Sequence, residues 1–168
     1  EAGAPALLLD APDAHLLAWR DWSEPASAAI VTDPGGFERE GVLDALDMLL
    51  SPETRLSGGG SLVIEPTRAL VAVDVNTGTD TSAAAGLKAN IATARALPRQ
   101  LRLRGLGGQI TVDFAPMAKK DRKALEHALR AAFRADAVET SLVGWTPLGH
   151  FELQRKRDRI PFDPSDLS

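Results

Sequence analysis

The feature that most constrains this chain is the alternation of strand-like and helix-like patterns from residue 57 onward. Ser57-Gly-Gly-Gly-Ser61 reads as a turn into a strand, Leu62–Glu65. Pro66-Thr-Arg68 then turns the chain into a second strand, Ala69–Val75, so the two form a hairpin. Residues 83–104 are the longest helix candidate, rich in Ala and Leu, interrupted by Gly86 and Pro98 and stopped by Gly105-Leu-Gly-Gly108. Gln109–Phe114 is a strand. Met117–Arg134 is an amphipathic helix with Leu125, Ala128, Leu129 and Ala132 on one face. Val138–Val143 and Gly149–Gln154 read as two closing strands, and the tail beyond Ile160 as loose chain. Such an order predicts an α/β fold with a mixed β-sheet flanked by helices. No repeat or low-complexity linker interrupts it, so the reading is a single domain over residues 1–168.

Upstream, Leu7–Leu9 reads as a strand and Leu16–Trp19 as a strand or short helix. Ala28–Thr32 reads as a buried strand ended by Asp33-Pro-Gly-Gly36. From Phe37 to Leu50, Val42, Leu43, Leu46, Leu49 and Leu50 recur at helical spacing, and Pro52 marks the end.

Composition narrows the function classes. The chain has 168 residues, 44% hydrophobic and 25% charged, enough apolar material for a real core. No apolar run approaches the roughly 18 residues of a membrane helix. With 0 Cys, disulfides, thiolate metal sites and a cysteine nucleophile are excluded, which fits a reducing, cytoplasmic setting. No secretory signal pattern opens the chain, and Glu1 in place of Met predicts processing or excision from a longer protein. Net charge is −4, unlike a typical nucleic-acid binder. The charge is unevenly spread: residues 1–84 carry 4 Lys/Arg against 14 Asp/Glu, and residues 85–168 carry 15 against 9. That asymmetry fits either a basic surface confined to one part of the fold or two solvated basic helices.

Two strands end in carboxylates. Ala69-Leu-Val-Ala-Val73 runs into Asp74-Val-Asn-Thr-Gly78, and Gly108-Gln-Ile-Thr-Val112 into Asp113. Ligands of open α/β sheets collect at the carboxyl ends of strands. Aspartates at the ends of adjacent strands suit a hard cation such as Mg²⁺. Asn76 shares a face with Asp74 through the two-residue period and suits the ordering of a water or phosphate oxygen. Gly78 lets the loop approach a ligand closely. An aspartate after a strand also serves as a helix cap or turn former, so spacing alone leaves both readings open.

Gly58-Gly-Gly-Ser-Leu-Val-Ile-Glu65, Ala69–Asn76, Arg99-Gln-Leu-Arg-Leu-Arg-Gly-Leu-Gly-Gly108 and Ile110-Thr-Val-Asp-Phe114 follow one another in that order. Together they resemble the catalytic core of the ribonuclease E/G family. Gly144-Trp-Thr-Pro-Leu-Gly149, with Glu152 and Arg155 beyond it, is similar to the family's closing strand pair. The strong resemblance runs from about Gly36 to Arg157, and Arg20-Asp-Trp22 extends it upstream. It implies a DNase I-like catalytic subdomain and a Mg²⁺-dependent endoribonuclease, with Mn²⁺ as the substitute cation. The substrate implied is single-stranded RNA, cut to 5′-phosphate and 3′-hydroxyl ends. Asp74 and Asp113 would be the metal ligands, and Asn76 would position the attacking water or the scissile phosphate. The S1 domain and 5′-end sensor of larger members are not visible here. Their Cys-x-x-Cys zinc link cannot form without Cys, so a monomer or dimer is expected in place of a tetramer. The family's glutamates between Asn76 and Arg99 are also missing: the stretch reads Thr79-Asp-Thr-Ser-Ala-Ala-Ala-Gly86, followed by Ala89-Asn90-Ile91-Ala92. A weaker or altered metal site is implied.

The basic residues allow two readings each. Arg99, Arg102 and Arg104 are an RNA-contacting edge or a solvated helix end. Lys119, Lys120, Arg122 and Lys123 are RNA contacts or a solvated face. Arg155, Lys156, Arg157 and Arg159 flank the active edge or belong to the tail. His15, His127 and His150 form no ligand spacing and read as surface or core histidines. Trp19, Trp22 and Trp145 read as core, and with aromatics at 5% no base-stacking platform is expected. Three functions remain in competition: the endoribonuclease, a catalytically weakened RNA-binding module of the same family, and a structural piece of a longer chain.

Overall fold

The computed structural model describes residues 7–10, 30–80, 82 and 84–163. Leu16–Trp19, Arg20-Asp-Trp22, His15, Ala28 and Ala29 lie outside the described residues, as does the end of the tail from residue 164. The chain divides into two compact units, one ending at Met48 and the other starting at Leu49.

In the first unit, strands β1 (Leu7–Leu9) and β2 (Ile30–Thr32) pair in parallel. Helix α1 (Gly36–Arg39) follows the turn at Asp33-Pro-Gly. Asp10 caps it from a distance: its carboxylate accepts from the Gly35 N–H at 2.9 Å and the Phe37 N–H at 2.8 Å. These two backbone bonds, Phe37 foremost, hold the Asp10 carboxyl below the ordinary aspartate range. The continuous helix expected over Phe37–Leu50 is broken. Gly41, at φ 67°, takes a left-handed conformation between α1 and α2 (Val42–Leu50). A residue with a Cβ resists that conformation, so the helical period continues across a break that glycine allows.

The second unit is built on a six-stranded mixed sheet. Its strands are β3 (Glu53–Arg55), β4 (Ser61–Pro66), β5 (Val71–Asn76), β6 (Gly108–Asp113), β7 (Thr140–Trp145) and β8 (Phe151–Arg155), in the spatial order β3-β4-β5-β6-β8-β7. The expected β4–β5 hairpin is present. Strand β3 has no counterpart among the sequence expectations. Its three residues, Glu-Thr-Arg, carry no apolar pattern, and it forms by adding to the free edge of β4. Every pairing in this sheet is antiparallel except β5 with β6. A parallel pair needs a crossover, and helix α3 (Ala85–Leu103) supplies it. Helix α4 (Arg122–Arg134) links β6 to β7, entered through a 3-10 turn at Lys119–Asp121 in place of the α-helical start expected at Met117.

One face of the sheet is apolar. Leu62, Ile64, Val71, Val73, Val75, Ile110, Val112, Phe151 and Leu153 pack with Ala94, Leu97 and Leu101 of α3 and with Leu125, Leu129 and Phe133 of α4. Each of the larger side chains contributes roughly 1.5–3 kcal/mol through removal from water. Pro98 is tolerated inside α3, where it is buried, and Gly86 is required there. A Cβ on Gly86 would collide with the backbone carbonyl of Pro116. The opposite face carries Asp74, Asn76, Gln109, Asp113 and Gln154, all exposed.

A buried ionic cluster closes the lower corner of the unit. Arg155 Nη1 lies 2.7 Å from Asp136 Oδ2, with both side chains 1% exposed, and Arg102 pairs with the other oxygen of Asp136. Arg155 also donates to Thr140 Oγ1 at 2.8 Å. Arg155 therefore belongs to the core and not to a loose tail. Among the described residues no helix is long and apolar enough to cross a membrane.

The ionic corner and the Asp10 cap can each be tested. Asp136→Ala leaves Arg155 buried without its counter-charge and should lower unfolding free energy by about 3–5 kcal/mol in urea denaturation. The Asp10 cap is sensitive to acid. Because the folded Asp10 carboxyl titrates below its unfolded value, the stabilisation it supplies is present at neutral pH and lost as pH falls through the folded value. An NMR titration should place Asp10 below an ordinary aspartate, and Asp10→Asn should remove that part of the acid response.

Candidate active site

The register of β5 against β6 sets Asp74 directly opposite Asp113. Neighbouring strands lie about 4.8 Å apart, so the two carboxylates leave adjacent backbones on the same, solvent-facing side of the sheet. Asn76 is two residues further along β5 on that face. Its Nδ2 donates to Asp74 Oδ2 at 2.8 Å, which turns the carboxylate and leaves the amide oxygen free to accept. Asp74, Asn76 and Asp113 thus come together. Their donor set, two exposed carboxylates and an amide, suits a hard divalent cation.

Glycine shapes the surroundings of Asn76. Gly60 sits at φ 85° with its backbone pressed on the carbonyl of Asn76, where a Cβ would collide. Gly78 approaches Gly60, with 3.6 Å between its Cβ direction and the Gly60 Cα. The Gly58-Gly-Gly60 run therefore supports the end of β5.

The far side of the site rests on helix α3. Asn90 is fully buried and clamps the chain just past Asp113: its Nδ2 donates to the Ala115 carbonyl, and its Oδ1 accepts from the Ala115 N–H, both at 2.9 Å. Below Asp113, Phe114, Trp145 and Phe151 pack at steep angles to one another, with centroids 5.1–6.3 Å apart. Arg122 lies over the Trp145 ring at 4.1 Å, and the Trp145 indole donates to Glu126 at 2.8 Å. Trp145 is half-buried and packs against the core.

His150 joins the site from the β7–β8 hairpin. Its Nε2 lies 3.9 Å from Asp113 Oδ1. The turn is held by Thr146, whose N–H donates to the His150 carbonyl at 2.8 Å and whose hydroxyl accepts from the His150 N–H at 3.1 Å. A histidine without ligand spacing gives no sequence signal; only the β8 register on β6 brings it here.

The basic candidates separate. Lys119 and Lys120 are exposed in the turn that follows the Asp113 loop, and Arg99 is exposed on α3. Arg102 is paired with Asp136. Arg104 is buried: it donates to the Leu49 carbonyl and, at 3.2 Å, to Thr54 Oγ1. Burial pulls its guanidinium below the ordinary arginine range. These two charges serve the fold.

Residues 6–158 match the family model described as the Ribonuclease E/G family. The chain belongs to the ribonuclease E/G family. It is 39% identical over 132 residues to Ribonuclease G of Salmonella typhimurium (strain SL1344), covering 73% of this chain and 26% of that protein. Ribonuclease E of Nostoc sp. is 41% identical over 119 residues, covering 67% and 17%. The Ribonuclease E/G-like protein, chloroplastic, of Arabidopsis thaliana is 37% identical over 130 residues, covering 73% and 13%. The chain spans about a quarter of the length of the Ribonuclease G relatives it matches.

The Asn90 clamp is testable. Asn90→Ala strands the N–H and C=O of Ala115 in the core and should cost about 2–4 kcal/mol in urea unfolding. Asn90→Asp, which keeps only the acceptor, should also destabilise, since it sets a carboxylate against the Ala115 carbonyl.

Proposed function

We propose that this chain is the catalytic core of a Mg²⁺-dependent endoribonuclease that cuts single-stranded RNA to 5′-phosphate and 3′-hydroxyl ends. The observation that carries the reading is the register of Asp74 against Asp113 on the parallel strand pair of the six-stranded sheet. Membership of the ribonuclease E/G family supports it. Asp74 and Asp113 would hold the cation, Mg²⁺ or Mn²⁺, as hard oxygen ligands. When bound, the cation supplies neutralisation of charge on the phosphate and a lowered pKa for water. Asn76 keeps Asp74 oriented through its Nδ2 and offers its Oδ1 to a water proton. His150 stands beside Asp113, with its Nε2 3.9 Å from Oδ1. Arg99, Lys119 and Lys120, all exposed, offer positive charge to RNA phosphates. RNA processing or decay in the cytoplasm, by a monomer or dimer, is the setting this reading implies.

One observation favours the second reading, a catalytically weakened RNA-binding module. Among the described residues no three His, Asp or Glu side chains gather where they could hold a metal together. The missing glutamates of the 79–92 stretch point the same way. Cleavage of labelled single-stranded RNA with and without Mg²⁺ decides. Asp74→Asn and Asp113→Asn should each abolish Mg²⁺-dependent cleavage while RNA binding stays equal or tightens slightly, because a negative charge is removed. If either variant cleaves like the parent, the active site lies elsewhere. RNA binding by a parent chain that never cleaves supports the second reading.

A further inference from the structure

A hollow of about 150 Å³ lies beside the strand starts of β5 and β6, the opposite end from Asp74 and Asp113. Arg68, Arg157 and Arg159 line it, with Gly105 and Gly107 among its walls and no acidic residue anywhere on its lining. None of the ion pairs among the described residues engages these three arginines. Four other arginines are ion-paired: Arg102 and Arg155 share Asp136, Arg39 pairs with Asp33, and Arg130 with Glu126. In a chain of net charge −4, three uncompensated guanidiniums around one hollow repel each other and attract an anion.

The segment that carries Arg157 and Arg159 lies on the Gly105-Leu-Gly-Gly108 motif, whose role the active site does not explain. A Cβ on Gly107 would come 2.6 Å from the Lys156 carbonyl oxygen. One on Gly108 would come 2.5 Å from Nη2 of Arg157 and 2.8 Å from its Cζ. The bare backbone thus lets residues 156–161 lie against the loop and seats the Arg157 guanidinium on it. The segment is tied at both ends, by Lys156 N–H to the Glu139 carbonyl at 3.0 Å and Phe162 N–H to the Arg104 carbonyl at 3.1 Å. Arg68 comes from the β4–β5 turn, where the Thr67 hydroxyl accepts from the Leu70 N–H at 3.1 Å and donates to the Leu70 carbonyl at 2.7 Å.

Guanidinium forks match phosphate oxygens in geometry as well as charge. The hollow is well below the roughly 300–1,000 Å³ of pockets that enclose whole organic ligands, so it fits a phosphate group and not a base with its sugar. Along β5, Val71 is about 10 Å from Asp74, so a phosphate here belongs to a different nucleotide from the one at the carboxylates. We propose that Arg68, Arg157 and Arg159 form a phosphate site that grips the RNA backbone away from the scissile bond. This proposal rests on the ribonuclease reading above.

The test is fluorescence anisotropy of a labelled single-stranded RNA across a salt series, without added divalent cation. The parent is compared with Arg68→Ala/Arg157→Ala/Arg159→Ala, with the triple Lys variant, and with Arg130→Ala as a control. Thermal unfolding checks that every variant folds. The triple Ala variant should bind at least about tenfold more weakly at about 0.1 M salt, and its log–log salt slope should flatten by about 0.7 for each phosphate that no longer meets an arginine. The Lys variant should retain most of the slope with reduced affinity, and Arg130→Ala should match the parent. A folded triple Ala variant with the parent's slope and affinity overturns this proposal and leaves the ribonuclease reading standing. A parent that binds no single-stranded RNA overturns both. NMR shifts of the Gly107 and Gly108 amides with inorganic phosphate, in a chain whose RNA binding ignores the triple variant, would mark a free-phosphate site and overturn the RNA assignment.

Discussion

The parallel pairing of β5 with β6 is the constraint on which the rest of this structure depends. Antiparallel neighbours join through short turns, but a parallel pair forces the chain to cross back, and α3 is that crossing. The crossover puts α3 on one face of the sheet, α4 packs beside it, and the apolar side chains follow. What remains on the other face is polar, and Asp74 and Asp113 stand there side by side. A slip of one residue would turn Val73 and Val112 to solvent and both aspartates into the core. The hydrophobic pattern therefore fixes the chemical register too.

Around that pair, the supporting contacts reach the site from sequence-distant elements. Asn90 on α3 holds the backbone past Asp113, Gly60 on the β3–β4 turn braces the carbonyl of Asn76, and the Trp145 cluster fills the space beneath. Carboxylates on strands, braced on several sides, keep their geometry better than carboxylates on loops. Rigid placement of this kind is worth several kcal/mol in reactions that depend on positioning.

The basic C-terminal half divides its charge between two uses. Arg102 and Arg155 meet at Asp136 and close the lower corner of the unit, while Arg104 donates to the Leu49 carbonyl and the Thr54 hydroxyl. Arg157 and Arg159, joined by Arg68 from the β4–β5 turn, line the hollow without carboxylate partners. The same residue type, within a few positions in the chain, serves architecture in one place and anion binding in the other. Desolvation sets the difference: a buried guanidinium is stable only with its counter-charge or acceptors beside it, whereas an exposed one keeps its charge for a ligand.

Much of the second unit was legible in the sequence by itself. Short apolar runs bounded by glycine and proline marked β4, β5, β6 and β8, an Ala- and Leu-rich stretch marked α3, and the 3.6-residue period marked α4. The two-residue spacing placed Asp74 and Asn76 on one face before any fold was known. These are local properties, set by backbone geometry within a few residues. Tertiary structure alone decided what depends on distant partners. Whether Asp74 and Asp113 meet hangs on strand order, and the roles of Asn90 and His150 hang on which backbone lies opposite. The fate of each arginine hangs on which oxygens lie beside it, the Asp136 carboxylate for Arg155 and the Leu49 carbonyl and Thr54 hydroxyl for Arg104. The three-residue β3 hangs on a free sheet edge. In each case the deciding energy is a contact between residues far apart in the chain, and no local pattern encodes it.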